Sequence, residues 1–238
     1  MERLDKVLSN LGIGSRKEVK VIIKKGLVKI DDEIVKDSNK QIEPENCRLF
    51  VNDEEIRYRK YIYLMMNKPD GVISATFDDK DSTVIDLLED QDRAFDPFPV
   101  GRLDKDTVGL LLLTNDGEFN HRLISPKNHV PKVYYAEVNI PLSEKDIVSF
   151  KEGIVLDDGY KSLPGELQII EGGSKSICKV TIYEGKYHQV KRMFNSLGGD
   201  VTYLKRLSLG KLDLDESLAE GEYRELKDDE LNMLKNEY

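Results

Sequence analysis

Apolar and polar positions recur along this chain with more than one period, and the changes of period divide it. Residues 3–11 set Leu4, Val7, Leu8 and Leu11 at i, i+3, i+4 and i+7, one face of a helix that Gly12 closes. Ser15-Arg16-Lys17-Glu18 has the form of a capping box, in which serine oxygen and glutamate each satisfy a free backbone N–H, so a second helix starts at Arg16. At about 100° per residue, Val19, Ile22 and Ile23 share one arc of that helix, and Arg16, Lys17, Lys20 and Lys24 share another. Gly26 ends it, and residues 27–30, 31–32 and 33–35 read as strand, turn and strand.

The run over residues 53–60 is polar and charged and is the expected linker between a small domain at 1–52 and a larger one at 61–238. In the larger domain, residues 61–66 are strand-like and Asn67-Lys68-Pro69-Asp70-Gly71 has turn composition. A short helix is predicted at 83–88, and a loop with Pro97 and Pro99 at 92–100. Four consecutive leucines, Leu110 to Leu113, read as a fully buried strand stopped by Asn115-Asp116-Gly117. Helices follow at 117–124, 142–151 and 187–197, and strands at 133–140, 165–170 and 177–183. Strands and helices mix without a regular βαβ alternation, which predicts an α+β domain on a mixed, mainly antiparallel sheet.

Composition narrows the class. Of 238 residues, 39% are hydrophobic and 34% charged, enough for a proper core. No apolar run approaches the roughly 20 residues that span a bilayer. The charged, helix-like N-terminus lacks a signal-peptide pattern, so a cytoplasmic protein without membrane partners is expected. Cys47 and Cys178 lie far apart in apolar contexts, and His121, His129 and His188 are scattered, which gives no spacing for a disulfide framework or a metal site. The net charge of −9 argues against nucleic acid only when averaged. Residues 1–30 hold eight Lys or Arg against three Asp or Glu, and residues 185–211 six against one, whereas the tail at 213–238 holds ten acidic against three basic. Segregated charge leaves a basic face for phosphates. Four cations close together on α-helical turns repel one another unless a polyanion offsets them, which favours RNA over plain solvation for Arg16, Lys17, Lys20 and Lys24.

The stretch from Gly101 to Gly117, Gly-Arg-Leu-Asp-Lys-Asp-Thr-Val-Gly-Leu-Leu-Leu-Leu-Thr-Asn-Asp-Gly, places a carboxylate among cations next to a dry strand. By itself an Arg-x-Asp is most often a structural ion pair. The whole stretch, however, resembles the signature of RNA pseudouridine synthases of the branch that carries an N-terminal S4 RNA-binding domain. The helix-helix-hairpin order of residues 1–50 resembles that S4 fold. Asn67-Lys68-Pro69-Asp70-Gly71, Lys132-Val133-Tyr134, and Gly185-Lys186-Tyr187-His188-Gln189-Val190-Lys191-Arg192-Met193 resemble further motifs of the family, in the family's order.

The resemblance implies isomerisation of a specific uridine to pseudouridine in ribosomal RNA, without a cofactor. It implies Asp104 as nucleophile, Tyr134 as the active-site tyrosine and Lys191 as the active-site cation, with Arg192 its constant neighbour and an RNA contact. Lys191 is expected to keep Asp104 ionised, because a carboxylate in a dry pocket otherwise tends to neutralise. Arg102 is the candidate to fill the space left by the flipped nucleotide or to hold a flanking phosphate. Attack on C1′, attack on C6 and base action at C2′ all remain open for Asp104. Lys68 is expected to be structural or a phosphate contact, and Asp106 structural. Residues 15–20, Phe98-Pro99-Val100 and the short C-terminus without a basic tail look most like the small-subunit (16S) enzyme. A 23S enzyme and a non-catalytic S4-containing assembly factor are the alternatives. The partner expected is rRNA in a pre-ribosomal particle, met by a monomer.

Overall fold

A computed structural model describes residues 1–56 and 58–237. They form two compact units, Met1–Ile62 with Leu88–Pro97, and Tyr63–Leu87 with the chain from Phe98 onward. Arg57, inside the expected linker, lies outside the described residues.

In the first unit β1 (Glu2–Arg3) leads into α1 (Leu4–Asn10) and α2 (Arg16–Lys24), followed by β2 (Val28–Ile30), β3 (Glu33–Ile34), β4 (Gln41–Ile42), β5 (Leu49–Val51) and β6 (Glu54–Ile56). The capping box forms as the sequence requires: the Ser15 and Glu18 side chains reciprocally cap the first turn of α2. Leu4, Val7, Leu8, Val19 and Ile23 bury the inner faces of both helices on Val28, Ile30, Leu49 and Val51. The four-stranded sheet runs β3-β2-β5-β6, all antiparallel. Residues 54–56 therefore belong to this sheet rather than to a linker. Their polar side chains sit on an edge strand, where a charged, solvated sequence is the usual protection against further pairing.

The second unit contains β7 (Tyr63–Lys68), β8 (Phe98–Pro99), β9 (Val108–Thr114), α4 (Gly117–Ile124), β10 (Lys132–Val138), α5 (Glu144–Glu152), β11 (Glu166–Glu171), β12 (Ser176–Ile182), α6 (Gln189–Ser196), β13 (Val201–Leu209), β14 (Leu212–Asp213), β15 (Tyr223–Glu225) and α7 (Asp228–Glu237); α3 (Asp90–Arg93) is part of the first unit. Its main sheet has the order β11-β12-β10-β13-β9-β7-β15. The β9 and β13 strands pair in parallel, and the other pairings along that order are antiparallel. All seven residues of β9 are buried, as four successive leucines demand of a central strand covered on both faces.

Three expectations change. Asn67 and Lys68 extend β7 as buried strand residues instead of opening a turn. Residues 83–88 make no helix but a turn, in which the Asp86 carboxylate accepts from both the backbone N–H and the hydroxyl of Thr83. The acidic stretch at 213–238, read only as a charge-segregated tail, adds β15 to the main sheet beside β7, and Arg224 there is gripped by Asp215 and Glu230. Among the described residues no helix is long and apolar enough to cross a membrane.

Candidate active site

Three segments distant in sequence converge on one open cleft. The loop before β9 supplies Arg102, Asp104 and Thr107, β10 supplies Tyr134, and the loop and first turn of α6 supply Lys186, His188 and Lys191.

Each segment is fixed from below. The loop before β9 turns back on itself through the Thr107 N–H, which donates to the Asp104 carbonyl at 3.1 Å. Ser74 braces its start, its hydroxyl donating to the Leu103 carbonyl and accepting from the Leu103 N–H, both at 3.0 Å. Lys68 clamps the end. Its side chain is fully buried, and its ammonium donates to the carbonyls of Pro69, Lys105 and Thr107 at 3.0, 3.1 and 2.9 Å. Burial pushes this lysine down to about 8, with the nearby acidic side chains pulling the other way. With three carbonyls around its ammonium, it is a structural clamp.

Tyr134 alternates with Tyr135 across β10 as the strand period requires. Tyr134 is 7% exposed and lines the cleft. Tyr135 is half-buried, bonds Glu137 through its hydroxyl and packs edge-on against Tyr203. The β10–β13 register slips by one residue between Val133 and Tyr134. Such bulges re-aim side chains next to active sites.

Lys191 lies in the first turn of α6, and its Nζ sits 3.3 Å from Oδ2 of Asp104. The other carboxylate oxygen, Oδ1, faces Nε2 of His188 at 3.5 Å. Asp106 shares the same ammonium, accepting from Lys191 Nζ. Burial pulls Lys191 down, but its bond to Asp106 and the charges of Asp104 and Asp106 outweigh it, so the ammonium is held above its ordinary value. Burial likewise pushes the Asp106 carboxyl up, and the bond and charge of Lys191 reverse that, leaving it below the usual range. Asp106 is thus part of the charge network that the sequence reading assigned to structure. Its signal was present: a second carboxylate two residues from the first, in one turn.

Of the other expected site residues, Arg102 lines the cleft. Arg192 does not. One residue on from Lys191 along a helix is a rotation of about 100°, and it carries the Arg192 guanidinium to Asp157 and Asp158. His188 was missed as a site residue, although it stands in the same motif, three positions before Lys191. Arg16, Lys17, Lys20 and Lys24 are all exposed on α2 of the first unit. Lys20 is not wholly unpaired, because its Nζ lies 3.7 Å from the buried Asp5 carboxylate, which Arg3 also holds. Among the described residues no group of three His, Cys, Asp or Glu is placed to hold a metal.

A carboxylate lining an open cleft, with a fixed cation beside it and a buried tyrosine in the same lining, can attack or deprotonate a sugar or base edge that stacks on that tyrosine. Comparison with known proteins narrows the chemistry. A family model for RNA pseudouridylate synthase matches residues 62–196, and one for the S4 domain matches residues 2–46. The chain is 51% identical over 233 residues to an uncharacterized RNA pseudouridine synthase of Bacillus subtilis (strain 168), covering 98% of each. It is 40% identical to the ribosomal small subunit pseudouridine synthase A of Haemophilus influenzae, covering 98% of this chain and 99% of the relative. It is 38% identical to the ribosomal large subunit pseudouridine synthase B of Bacillus subtilis, covering 99% and 96%. A crystal structure of a pseudouridylate synthase superposes with a TM-score of 0.69 at 37% identity, covering 98% of this chain and all of that one.

Proposed function

The chain belongs to the RNA pseudouridylate synthase family, with an S4 domain at its N-terminus, and we propose that it isomerises one uridine of 16S ribosomal RNA with Asp104 as the nucleophile. The observation that carries the reading is the meeting of Asp104, Tyr134 and Lys191, from three separate motifs, around one cleft.

The reaction breaks the N1–C1′ bond of uridine, turns the detached uracil and joins its C5 to C1′, after which the C5 proton is lost and N1 carries one instead. Atoms and charge balance within the substrate, so the step consumes no redox or group-transfer partner. Asp104 is the group placed to trap the sugar or the base while the glycosidic bond is open. Lys191 sets a fixed positive charge 3.3 Å from that carboxylate, beside the apolar wall of Leu103, Val190 and Leu204. Tyr134 stacks on the free uracil, an interaction worth roughly 1–3 kcal/mol, and its hydroxyl is a candidate for removing the C5 proton. Arg102 occupies the space from which the nucleotide has flipped, or holds the flanking phosphate. Exposed cations on α2, Arg16, Lys17, Lys20 and Lys24, dock the S4 unit on the phosphate backbone of the rRNA within an assembling particle, on which the protein acts as a monomer.

The choice of the small-subunit substrate rests on the 40% identity to a small-subunit enzyme and on the motif variants before β9 and in α2. The 38% identity to a large-subunit enzyme favours the second reading, a 23S site. Incubating the protein with rRNA from a strain that lacks its gene, then mapping pseudouridine by carbodiimide, separates them. One new modification in 16S rRNA is expected. A new site in 23S rRNA alone transfers the proposal to the large subunit, and no new site in either overturns it.

A further inference from the structure

Tyr187 is a large aromatic side chain left 77% exposed between Lys186 and His188, which both line the cleft. It is not disordered into solvent. Its ring stacks on that of His188 with centroids 3.8 Å apart and planes 19° from parallel. Sequence neighbours do not ordinarily stack, because successive side chains diverge by about 180° on a strand and 100° on a helix. Here the backbone of His188 is left-handed, φ +48° and ψ +33°, a state rare for residues other than glycine. That turn brings the two rings parallel.

The segment that carries them is rigid. The Gln189 side chain bridges it, accepting from the Lys186 N–H at 2.9 Å and donating to the buried Glu184 at 2.8 Å. Glu184 is in turn fixed by the Tyr160 hydroxyl and the Leu163 N–H. His188 does not cap the helix it precedes; it turns its Nε2 to Asp104 instead. One face of a preformed two-ring stack is therefore open, and the inner ring touches the candidate nucleophile. The cationic side chains of Lys186 and Arg102 line the same cleft.

We propose that the outer face of Tyr187 is a stacking subsite for the unpaired base next to the target uridine, which continues the Tyr187–His188 stack when the target leaves its own. This subsite rests on the synthase reading above. An exposed π-face takes any base, so it supplies affinity and an anchor for the splayed strand and carries little sequence preference. Flipping a nucleotide unstacks both neighbours, and a platform one aromatic layer from the cleft wall restores a stack to one of them. His188 links the platform to the reaction centre: its ring orientation is set on one side by Tyr187 and on its edge by Asp104.

The test is single-turnover pseudouridine formation on unmodified 16S and 23S rRNA transcripts, with half-saturation read against protein concentration. Tyr187 touches little besides His188, so its substitution leaves the fold intact. Tyr187→Ala is expected to raise half-saturation about 5- to 150-fold, the range for losing one base–aromatic stack. Tyr187→Phe, which keeps the ring, is expected to stay within about twofold of the parent. Tyr187→Leu, apolar without a π-face, is expected to behave like the alanine variant. Unchanged half-saturation in Tyr187→Ala, or a leucine variant as good as phenylalanine, would overturn the subsite while the parent's turnover upholds the synthase reading. No pseudouridine from the parent on either transcript, free or within partly assembled subunit particles, would overturn the synthase reading and the subsite with it.

Discussion

Each oxygen of Asp104 faces its own partner, Lys191 on one side and His188 on the other, and this division defines the site at the scale of single residues. Lys191 is the more consequential partner because it is the fixed charge. Lys191→Met is expected to lower turnover by about 10²–10³-fold, the usual loss when one preorganised cation or donor is removed from a reacting centre. Asp106→Asn frees the same ammonium for Asp104 alone, and a loss of less than about tenfold is expected in the same assay. Lys68 acts one step back, through the loop it clamps. Its folded-state value of about 8 lies below the 10.5 of an unperturbed lysine. Between those values the unfolded chain binds more protons, so this group adds stability as pH rises through the window; below about 8 both states are charged and its contribution is constant. Denaturation of the parent and of Lys68→Met should therefore diverge from pH 8 to pH 10, the parent gaining on the variant by roughly 1–3 kcal/mol. A difference that stays flat over that range contradicts the assignment.

At the scale of elements, the parallel pairing of β9 with β13 holds the loop that carries Asp104 against the sheet, and Gly109 makes it possible. A Cβ on this residue would lie 2.3 Å from the Arg206 carbonyl oxygen, and its φ is +98°. Gly109→Ala is expected to cost about 2–4 kcal/mol from strain and overlap together, read as a drop in thermal midpoint of several degrees. The Thr-x-Gly of the sequence signature thus has a backbone reason that the signature alone does not state. Elements carried by a clean period were legible: the capped α2, the four leucines of β9, and the alternation that separates Tyr134 from Tyr135. Elements that bury polar groups were not. In β13 the inward positions are Leu204, Arg206 and Ser208, and a buried arginine whose Nε donates to the Leu110 carbonyl breaks the apolar pattern that would mark a strand. Lys68, expected to be structural or a phosphate contact, sat in a run of turn composition, and its place at the end of a strand shows only in the three carbonyls around its ammonium. The site triad was legible through motif resemblance, whereas His188 and Asp106 needed distances.

At the scale of the whole molecule, a net charge of −9 coexists with RNA chemistry because the charge is partitioned. Acidic residues near the C-terminus are folded into the second unit around Arg224, and the first unit keeps an exposed basic helix. Replacing Arg16, Lys17, Lys20 and Lys24 with alanine should weaken rRNA binding and flatten its salt dependence, reducing the slope of log K against log salt by up to about 3. Lys20, already close to Asp5, should account for the smallest share. An unchanged slope would detach α2 from the RNA.

Loss of tritium from C5 of uridine accompanies the formation of each pseudouridine and reports the proposed reaction directly. With rRNA labelled at uridine C5, the parent protein is expected to release one equivalent per RNA molecule, and Asp104→Asn, which keeps the shape of the side chain and loses its charge, to release less than about one-thousandth as fast. Release by the asparagine variant at a rate near the parent's would contradict the assignment of Asp104 as the nucleophile.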